Sequence, residues 1–281
     1  MPELPEVETV RRDLTDRILG HEITKVKVID PLVIIGDPKA FARKLKGRRL
    51  ESIGRRGKAL IFALDRPPLF ITHFRMTGQL YPVTTGGAPD HTRVVFTLSD
   101  GSDLIFRDTR RLGRLELAED EVHSEILANL GRDALEDPPT LEEFTALLAK
   151  RKAPIKHFLM DQRHLAGVGN IYAAEILHRC DIHPEEPCAN LKPPQVACLL
   201  EMIRTVLAEA IGGRGTSISD YVTGTGKKGE FQYALRVYMR EGEPCWRTGC
   251  SGMVTRIVQQ GRSTYLCPKC QRRRARRVLR G

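Results

Sequence analysis

The stretch Cys245-Trp246-Arg247-Thr248-Gly249-Cys250, followed after sixteen residues by Cys267-Pro268-Lys269-Cys270, decides the fold of the C-terminal region. Four thiolates in two close pairs suit a tetrahedral structural zinc ion, because such sites are closed by four protein ligands. Between the pairs, residues 253–258 and 263–266 have strand-like patterns, with turn residues 259–262 between them. The spacing therefore predicts a zinc-ribbon β-hairpin with one Zn²⁺ on Cys245, Cys250, Cys267 and Cys270. The other cysteines, Cys180, Cys188 and Cys198, are expected to be ordinary small apolar side chains.

The net charge is concentrated in this part of the chain. The 281 residues carry a formal charge of +10. From Arg236 to Gly281 there are twelve basic and two acidic side chains, so this segment holds the whole excess and the preceding 235 residues are balanced. A neutral body with a basic C-terminal module favours a polyanionic partner, above all nucleic acid. The arginine-rich residues 272–277 also fit a flexible, solvated tail.

The composition is that of a globular protein. With 41% apolar residues, the chain is long enough for two domain cores and a small module. It contains no apolar run of membrane-spanning length and no N-terminal signal segment, so we expect a cytoplasmic protein without a membrane partner. Seven cysteines, an odd number, argue against a disulfide framework.

The order of the sequence patterns predicts an α+β multidomain fold. A helical pattern from Glu6 to Leu19 precedes short, regularly spaced strands between Ile23 and Glu116, which is typical of a β-sandwich. The pattern breaks at Leu135–Pro139, and helices are expected near 141–150, 155–160, 170–179 and 195–210. We therefore predict an N-terminal sandwich with a leading helix at 1–135, a helical domain at 136–235, the zinc ribbon at 236–272 and a basic tail at 273–281.

The N-terminus offers a possible nucleophile. Pro2 directly follows Met1, and removal of that methionine would leave a secondary amine that can attack an electrophilic sugar carbon and form a charged imine. Glu3 and Glu6 lie within one turn of this amine and could transfer protons. These residues alone also fit a terminus that is merely stiffened by proline.

Two further features suit a phosphate backbone. Gly167-Val168-Gly169-Asn170 precedes a helix, and Asn170 is predicted to be its N-cap, next to amides and a dipole end that attract anions. The preceding short helix carries Lys156 and His157, although a simple helix–helix corner explains this segment as well. Arg262 at the hairpin turn could bind a phosphate with its guanidinium fork or be an ordinary surface charge.

Together these features resemble formamidopyrimidine-DNA glycosylases, the bacterial base-excision enzymes for oxidised purines. The matching stretches run in the family's order over nearly the whole chain: residues 2–12, Gly57-Lys58, His73 to Gly78, Asp108 to Arg111, residues 165–173 and the terminal zinc ribbon. The resemblance implies a β-sandwich domain, a helix–two-turn–helix domain and a zinc finger. It also implies a monomer in the bacterial cytoplasm, associated with the nucleoid, that acts on double-stranded DNA containing oxidised bases.

The resemblance further implies a bifunctional glycosylase and AP lyase. Pro2 would form a Schiff base with the deoxyribose C1′, Glu3 would act as the acid/base and Glu6 would support the terminal segment or the flipped base. Excision of 8-oxoguanine or formamidopyrimidines would be followed by β,δ-elimination. Lys58 and Arg262 are placed with the catalytic residues because they hold the phosphates flanking the lesion. The other DNA-binding residues that it implies are His73, Met76, His91, Arg110, Leu112, Lys156, Asn170 and Lys227, and residues 217–229 would cover the extruded base.

The chain departs from the family pattern at three places. Position 112 is Leu where the family usually has a phenylalanine wedge, and leucine cannot stack as a ring. The first cysteine pair is spaced by four residues rather than by two. Met1 is present, and the catalytic role of Pro2 requires its removal.

Two other functions remain open. An enzyme of the endonuclease VIII type, which acts on oxidised pyrimidines, usually has Gly at position 4 and lacks the long base-covering loop, whereas this chain has Leu4 and residues 217–229. A catalytically silent zinc-ribbon protein would only bind damaged or bent DNA, and Pro2 and Glu3 argue against it.

Overall fold

A computed structural model describes residues 1–84, 88–217, 221 and 223–273. The chain forms two compact units, which are described separately: residues 1–130 with 210–232, and residues 131–209 with 233–281. The division of the sequence at residues 135, 235 and 272 stays a prediction. Apart from residue 273, the predicted basic tail lies outside the described residues.

In the first unit, the described residues include two complete α-helices and eight strands. The helices are α1 (Leu4–Ile18) and α2 (Pro38–Leu45). The strands are β1 (Glu22–Val28), β2 (Arg48–Arg56), β3 (Ala59–Leu64), β4 (Leu69–His73), β5 (Gly78–Val83), β6 (Thr92–Leu98), β7 (Asp103–Asp108) and β8 (Arg114–Ala118).

These strands form the predicted β-sandwich. They follow the order β5-β7-β6-β1-β2-β3-β4-β8, with antiparallel neighbours throughout. Strands β1 and β2 share only the pairs Glu22↔Arg49 and Ile23↔Arg48, so the row consists of two four-stranded halves. One apolar core joins both halves, and the rings of Phe70 in β4 and Phe96 in β6 meet in it with centroids 5.3 Å apart.

Helix α1 packs one side against this core. Val7, Val10, Leu14 and Ile18 are all buried, as their helical spacing predicts. The helix begins two residues earlier than the sequence pattern indicates, because Glu3 caps it and Pro5 is tolerated in its first turn. This early start places the N-terminal residues of the chain directly at the end of a buried helix.

The second unit is mainly helical. Its elements are α3 (Leu141–Ala149), α4 (Ile155–Met160), α5 (Asn170–Arg179) and α6 (Pro193–Gly212, which continues into the first unit), with the short strands β9 (Arg132–Asp133) and β10 (Leu165–Ala166) and the hairpin β11 (Thr255–Gln259) and β12 (Arg262–Leu266). Helix α3 starts with the predicted capping box, in which Glu143 N–H donates to Thr140 Oγ1 at 3.2 Å. Among the described residues, no helix is both long enough and apolar enough to cross a membrane.

The expectation for two of the cysteines was wrong. Cys180, at the end of α5, and Cys198, in α6, form a disulfide with their Cα atoms 5.9 Å apart. Residue type and spacing did not reveal the pair, because it depends on how two helices separated by a loop pack together. Cys188 is buried and unpaired, as expected for a small apolar side chain.

Candidate active site

The N-terminal residues form a buried carboxylate pair at the start of α1. Glu3 is the N-cap, and Glu3 and Glu6 are 2% and 1% exposed. Glu3 N–H donates to Glu6 Oε2 at 2.7 Å, and the Glu3 carboxylate accepts the backbone N–H of Glu6. Both carboxylates therefore lie at the positive end of the helix dipole, one and four residues beyond Pro2. Because Pro2 is itself buried, a merely stiffened, exposed terminus is excluded.

Glu6 also holds the segment that leads into the predicted base-covering loop. Its Oε1 accepts the N–H of Thr216 at 2.8 Å, and the Tyr221 hydroxyl donates to the Glu6 carbonyl at 3.4 Å. Gly215 has a φ of +78°, and a Cβ there would lie 2.9 Å from Glu6 Oε1. Within the predicted loop 217–229, residues 218–220 and 222 lie outside the described residues.

Two predicted phosphate ligands of the first unit are well defined. Lys58 follows the β2–β3 turn at Gly57 and is 4% exposed, which excludes a solvated surface charge. His73, at the end of β4, accepts the Arg75 N–H on Nδ1 at 3.0 Å. Burial, followed by the charges of Arg75 and Lys58, lowers the pKa of His73 to about 3. His73 is therefore neutral at physiological pH and carries its proton on Nε2, where it can donate to a phosphate oxygen.

The depressed pKa of His73 predicts a pH dependence of stability. An unfolded histidine binds a proton below about pH 6.5, whereas folded His73 stays neutral down to about pH 3. In that window the unfolded state binds more protons, so stability falls as the pH is lowered. We expect the unfolding free energy, measured with urea at pH 7.5 and at pH 5.0, to fall less between the two pH values for His73→Gln than for the parent protein. All other titratable groups are the same in both proteins, so the difference between the two pH effects reports on His73 alone. An equal loss of unfolding free energy in both proteins would contradict the low pKa of His73.

Asp108 joins the two turns that carry the predicted wedge residues. Its carboxylate is buried and accepts the Thr77 hydroxyl, the Arg110 N–H at 3.1 Å and the Gly113 N–H at 2.7 Å. Thr77 follows Met76, and Leu112 precedes Gly113. Asp108 therefore fixes both turns to each other while the wedge side chains stay accessible. The sequence motif included Asp108 but gave it no role. The one local feature that could have indicated this role is the position of an acidic residue directly before a turn.

The two apolar side chains that are predicted to act as wedges are accessible to solvent. Met76 and Leu112 are 39% and 40% exposed, which suits insertion into a stack better than a place in the core. Arg110 is exposed beside them, and the other predicted DNA contacts of this unit, His91 and Lys227, are exposed as well.

Replacing Asp108 by Asn is expected to loosen both turns. The amide group of Asn would present a donor to one of the N–H groups that Asp108 accepts, at a cost of about 1–3 kcal/mol in unfolding free energy. We expect urea unfolding to show this loss, together with weaker binding to an abasic-analogue duplex. Asp16→Asn, an exposed position on α1, is the matched control. Unchanged DNA binding by the folded Asp108 variant would contradict the positioning role.

In the second unit, the predicted N-cap role of Asn170 was wrong. The N-cap of α5 is Gly169 in an extended conformation, and Asn170 is the first helical residue. The Asn170 side chain instead accepts Lys156 Nζ at 2.6 Å on Oδ1 and donates Nδ2 to the Ser263 carbonyl at 3.0 Å. The Asn170 side chain therefore binds α4 and β12 instead of capping its own helix. The sequence spacing does not reveal these contacts with distant segments.

Lys156 is 1% exposed and makes internal contacts. Its ammonium donates to Asn170 Oδ1 and to Thr264 Oγ1 at 2.5 Å. It thereby ties α5 to β12, the strand that starts with Arg262. A direct contact of Lys156 with DNA stays a prediction.

Arg262 lies at the end of a tight hairpin turn. Gln260 and Gly261 have φ values of 47° and 71°, which gives the two-residue turn that matches strand twist. Arg262 is exposed and lines a cavity of about 280 Å³ with His157, Arg163 and neighbouring residues of α4 and the hairpin. A rigid, exposed arginine beside further basic groups can bind a phosphate with both prongs of its guanidinium.

The four predicted zinc ligands form one cluster. The Sγ atoms of Cys245, Cys250, Cys267 and Cys270 all lie within 4.8 Å of one another. The Cys245–Cys270 and Cys250–Cys267 Sγ pairs are both 3.8 Å apart, close to the edge of a tetrahedron with Zn–S distances of about 2.3 Å. The residues therefore fit a structural zinc, and the wider spacing of the first pair does not open the site.

Two buried side chains of α5 contact the zinc ribbon. Glu175 is 0% exposed and accepts the backbone N–H groups of Arg236, Val237 and Tyr238 at 2.8–3.0 Å. His178 Nε2 lies 3.3 Å from Cys245 Sγ, the position of a donor to a ligating thiolate. Sequence reasoning missed both residues, because their roles depend on a segment 60 to 70 positions away.

Three family models match the chain. They are the formamidopyrimidine-DNA glycosylase N-terminal domain over residues 1–115, the formamidopyrimidine-DNA glycosylase H2TH domain over residues 130–222, and a zinc finger found in FPG and IleRS over residues 242–273. The last match, with the four-cysteine cluster, establishes one structural zinc site.

Relatives and solved structures agree with these models. The formamidopyrimidine-DNA glycosylase of Heliobacterium modesticaldum is 43% identical over 97% of this chain and 100% of its own length. That of Moorella thermoacetica is 45% identical over 89% of this chain and 92% of its own. The solved structure of a Lactococcus lactis Fpg mutant in complex with a Fapy-dG containing DNA is 32% identical in sequence and has a TM-score of 0.89. The match covers 97% of this chain and 100% of that chain. The Lactococcus lactis Fpg bound to an abasic site containing DNA has the same score, coverage and identity.

Proposed function

The chain belongs to the formamidopyrimidine-DNA glycosylase family, and we propose that it excises oxidised purines from duplex DNA and then cleaves the strand through an imine on Pro2. The observation that carries this proposal is the buried Pro2–Glu3–Glu6 segment at the positive end of α1. The fold and the zinc ribbon alone would suit a protein that only binds DNA. Removal of Met1 would turn the buried Pro2 nitrogen into an amine beside two carboxylates, which a protein that only binds DNA does not need.

Base loss begins with the Pro2 nitrogen. After removal of Met1, its lone pair attacks C1′ of the everted nucleotide, and the electrons of the C1′–N bond leave with the base, which takes up the proton that the proline nitrogen gives up. Glu3 donates a proton to O4′ as the sugar ring opens, so that C1′ and the proline nitrogen form an iminium ion. The hydrogen bond that Glu3 N–H donates to Glu6 Oε2, at 2.7 Å, holds Glu3 at the start of α1, directly after Pro2.

Strand cleavage follows from the same iminium ion. Its positive charge acidifies the C2′ proton, and transfer of that proton to a base such as Glu3 lets the 3′ phosphate leave as the C3′–O bond breaks. A second elimination removes the 5′ phosphate, and hydrolysis of the imine with water releases the sugar fragment and regenerates the amine. Both steps need only proton transfers, which a carboxylate at the terminus can provide.

The remaining predicted residues hold the DNA. Lys58 and neutral His73 in the first unit, and Asn170 and Arg262 in the second, are proposed to bind the phosphates that flank the lesion. Met76, Arg110 and Leu112 are proposed to fill the space left by the extruded nucleotide, which offsets part of the few kcal/mol that base flipping costs.

The substrate class is tested by comparing two lesions. We expect single-turnover excision of 8-oxoguanine opposite cytosine to be faster than excision of thymine glycol. One similar structure is a wild-type Lactococcus lactis Fpg with an oxidised pyrimidine containing DNA, so rates rather than mere binding must be compared. Faster excision of thymine glycol would favour the endonuclease VIII type of function.

Leu112→Phe is expected to strengthen the wedge. A phenyl ring can stack on bases of the opposite strand, whereas Leu112 can only press against them. We expect the variant to capture lesions faster and to show a stronger preference for the opposite base, by about 1 kcal/mol or fivefold. Stopped-flow fluorescence and excision opposite each of the four bases would measure this. Met76→Leu is the control that changes the neighbouring wedge without adding a ring, and equal behaviour of parent and Leu112→Phe would contradict the idea.

A further inference from the structure

A groove formed by α5, α6 and the start of the zinc ribbon is lined by three arginines and a tryptophan. It has a volume of about 720 Å³, within the range of small-molecule pockets, and it lies wholly within the second unit. Its wall includes His178, Arg179, Met202, Arg236, Trp246 and Arg247. None of these residues belongs to the proposed catalytic or phosphate-binding set.

Positive charge exceeds negative charge in this groove. Arg179 pairs with Glu209 at 2.7 Å, and Arg247 pairs with Asp181 at 2.6 Å. Within the described ranges, the side chain of Arg236 pairs with no carboxylate. Three guanidinium groups therefore face two carboxylates, which leaves one positive charge for an anion.

Two of these arginines also have unused donors. The Arg179 side chain is 6% exposed, and its Nε–H has no partner among the residues that the structure describes; the same holds for Nε–H of Arg247. Because both donors are buried, they add positive potential to the wall of the groove rather than binding a ligand directly.

Trp246 adds a stacking surface. The side chain is 51% exposed, and the Arg240 guanidinium lies 4.0 Å from its ring centroid and holds the indole in place. An exposed indole next to arginines is the combination that binds unpaired nucleotides. We propose that this groove binds one nucleotide unit, with the phosphate on Arg179, Arg236 and Arg247 and the base on Trp246. The unit is either a free mononucleotide or an unpaired nucleotide of a DNA strand.

Because Trp246 is the only tryptophan of the chain, its fluorescence reports on this groove alone. We would titrate the zinc-loaded full-length protein with dAMP, deoxyadenosine and inorganic phosphate. Saturable quenching by dAMP is expected, with weaker binding of the other two. Arg236→Gln should raise the dAMP Kd about tenfold, as for loss of a charged hydrogen bond. Arg204→Gln, an exposed position on α6 outside the groove, is the matched control and should leave the Kd unchanged.

Further titrations distinguish a free nucleotide from a DNA strand and include results that would contradict the proposal. If a single strand of five nucleotides quenches the fluorescence at lower concentrations than dAMP does, the bound unit belongs to a DNA strand. If the strand quenches at the same or higher concentrations, the bound unit is a free nucleotide. Three results would overturn the proposal: no saturable quenching at about 10 mM dAMP, equal weakening by both arginine variants, or inorganic phosphate binding as tightly as dAMP. Equilibrium dialysis of dAMP with Trp246→Phe checks that the fluorescence change reflects binding.

Discussion

Protein that retains Met1 is expected to give no covalent adduct with 8-oxoguanine DNA on borohydride reduction, whereas protein that begins at Pro2 is trapped. In the Met1–Pro2 bond the proline nitrogen is an amide nitrogen, and its lone pair is delocalised into the carbonyl. It can neither attack C1′ nor form an iminium ion. The expected effect is loss of the whole covalent pathway, with base release and strand cleavage both at background.

The structure suggests how the two forms can be compared. Met1 is 43% exposed, so an aminopeptidase can reach it, while Pro2 behind it is buried. One preparation can therefore be assayed before and after removal of Met1, with the terminus defined by mass spectrometry. Binding to an abasic-analogue duplex serves as the control that both forms are folded. A trapped adduct from the unprocessed form would show that another residue is the nucleophile.

Adduct formation also separates the enzyme from a silent DNA-binding protein of the same fold. A binding-only protein would bind the duplex in both forms and be trapped in neither. Because borohydride reduces only an imine that has already formed, a positive result identifies the chemistry and not merely affinity.

The elements that could be predicted are those whose signals are local. Strand patterns, the capping box at Thr140 and the hairpin turn before Arg262 depend on residues a few positions apart, and the structure has them where the sequence indicates. The four zinc ligands were found for the same reason, since each pair is close in sequence. Local spacing also predicted the bounds of α5 correctly.

The features that were missed depend on contacts between distant segments. Asn170 fits the pattern of an N-cap, but its side chain binds Lys156 and Ser263 instead. The Cys180–Cys198 disulfide requires two helix positions to face each other. Buried carboxylates such as Asp108 look like surface acids in the sequence, because only the folded chain shows which backbone N–H groups surround them.

Replacing the zinc ligand Cys267 by Ala is expected to abolish zinc binding and to reduce cleavage of lesion DNA by at least about 100-fold. Structural zinc contributes about 10–16 kcal/mol of binding free energy in finger peptides, and a hairpin of this size has too small a core to fold without it. Zinc content by mass spectrometry and single-turnover cleavage measure the effect. Cys188→Ala, at a buried cysteine outside the cluster, should keep one zinc per chain and cleave normally.

The reason for this large expected effect is that the zinc site holds the strand of Arg262, the proposed phosphate ligand, and does not itself react. Arg262 starts β12, and Thr264 two residues later binds Lys156, which in turn holds Asn170. Loss of the ribbon should therefore remove Arg262 and disturb Asn170 together, while the sandwich core, which contains no residue of the ribbon, stays folded. We expect an intact unfolding transition for the sandwich in the Cys267 variant, with DNA affinity and its salt dependence both reduced. A Cys267→Ala protein that lacks zinc but keeps parental affinity and salt dependence would show that the ribbon does not contact DNA.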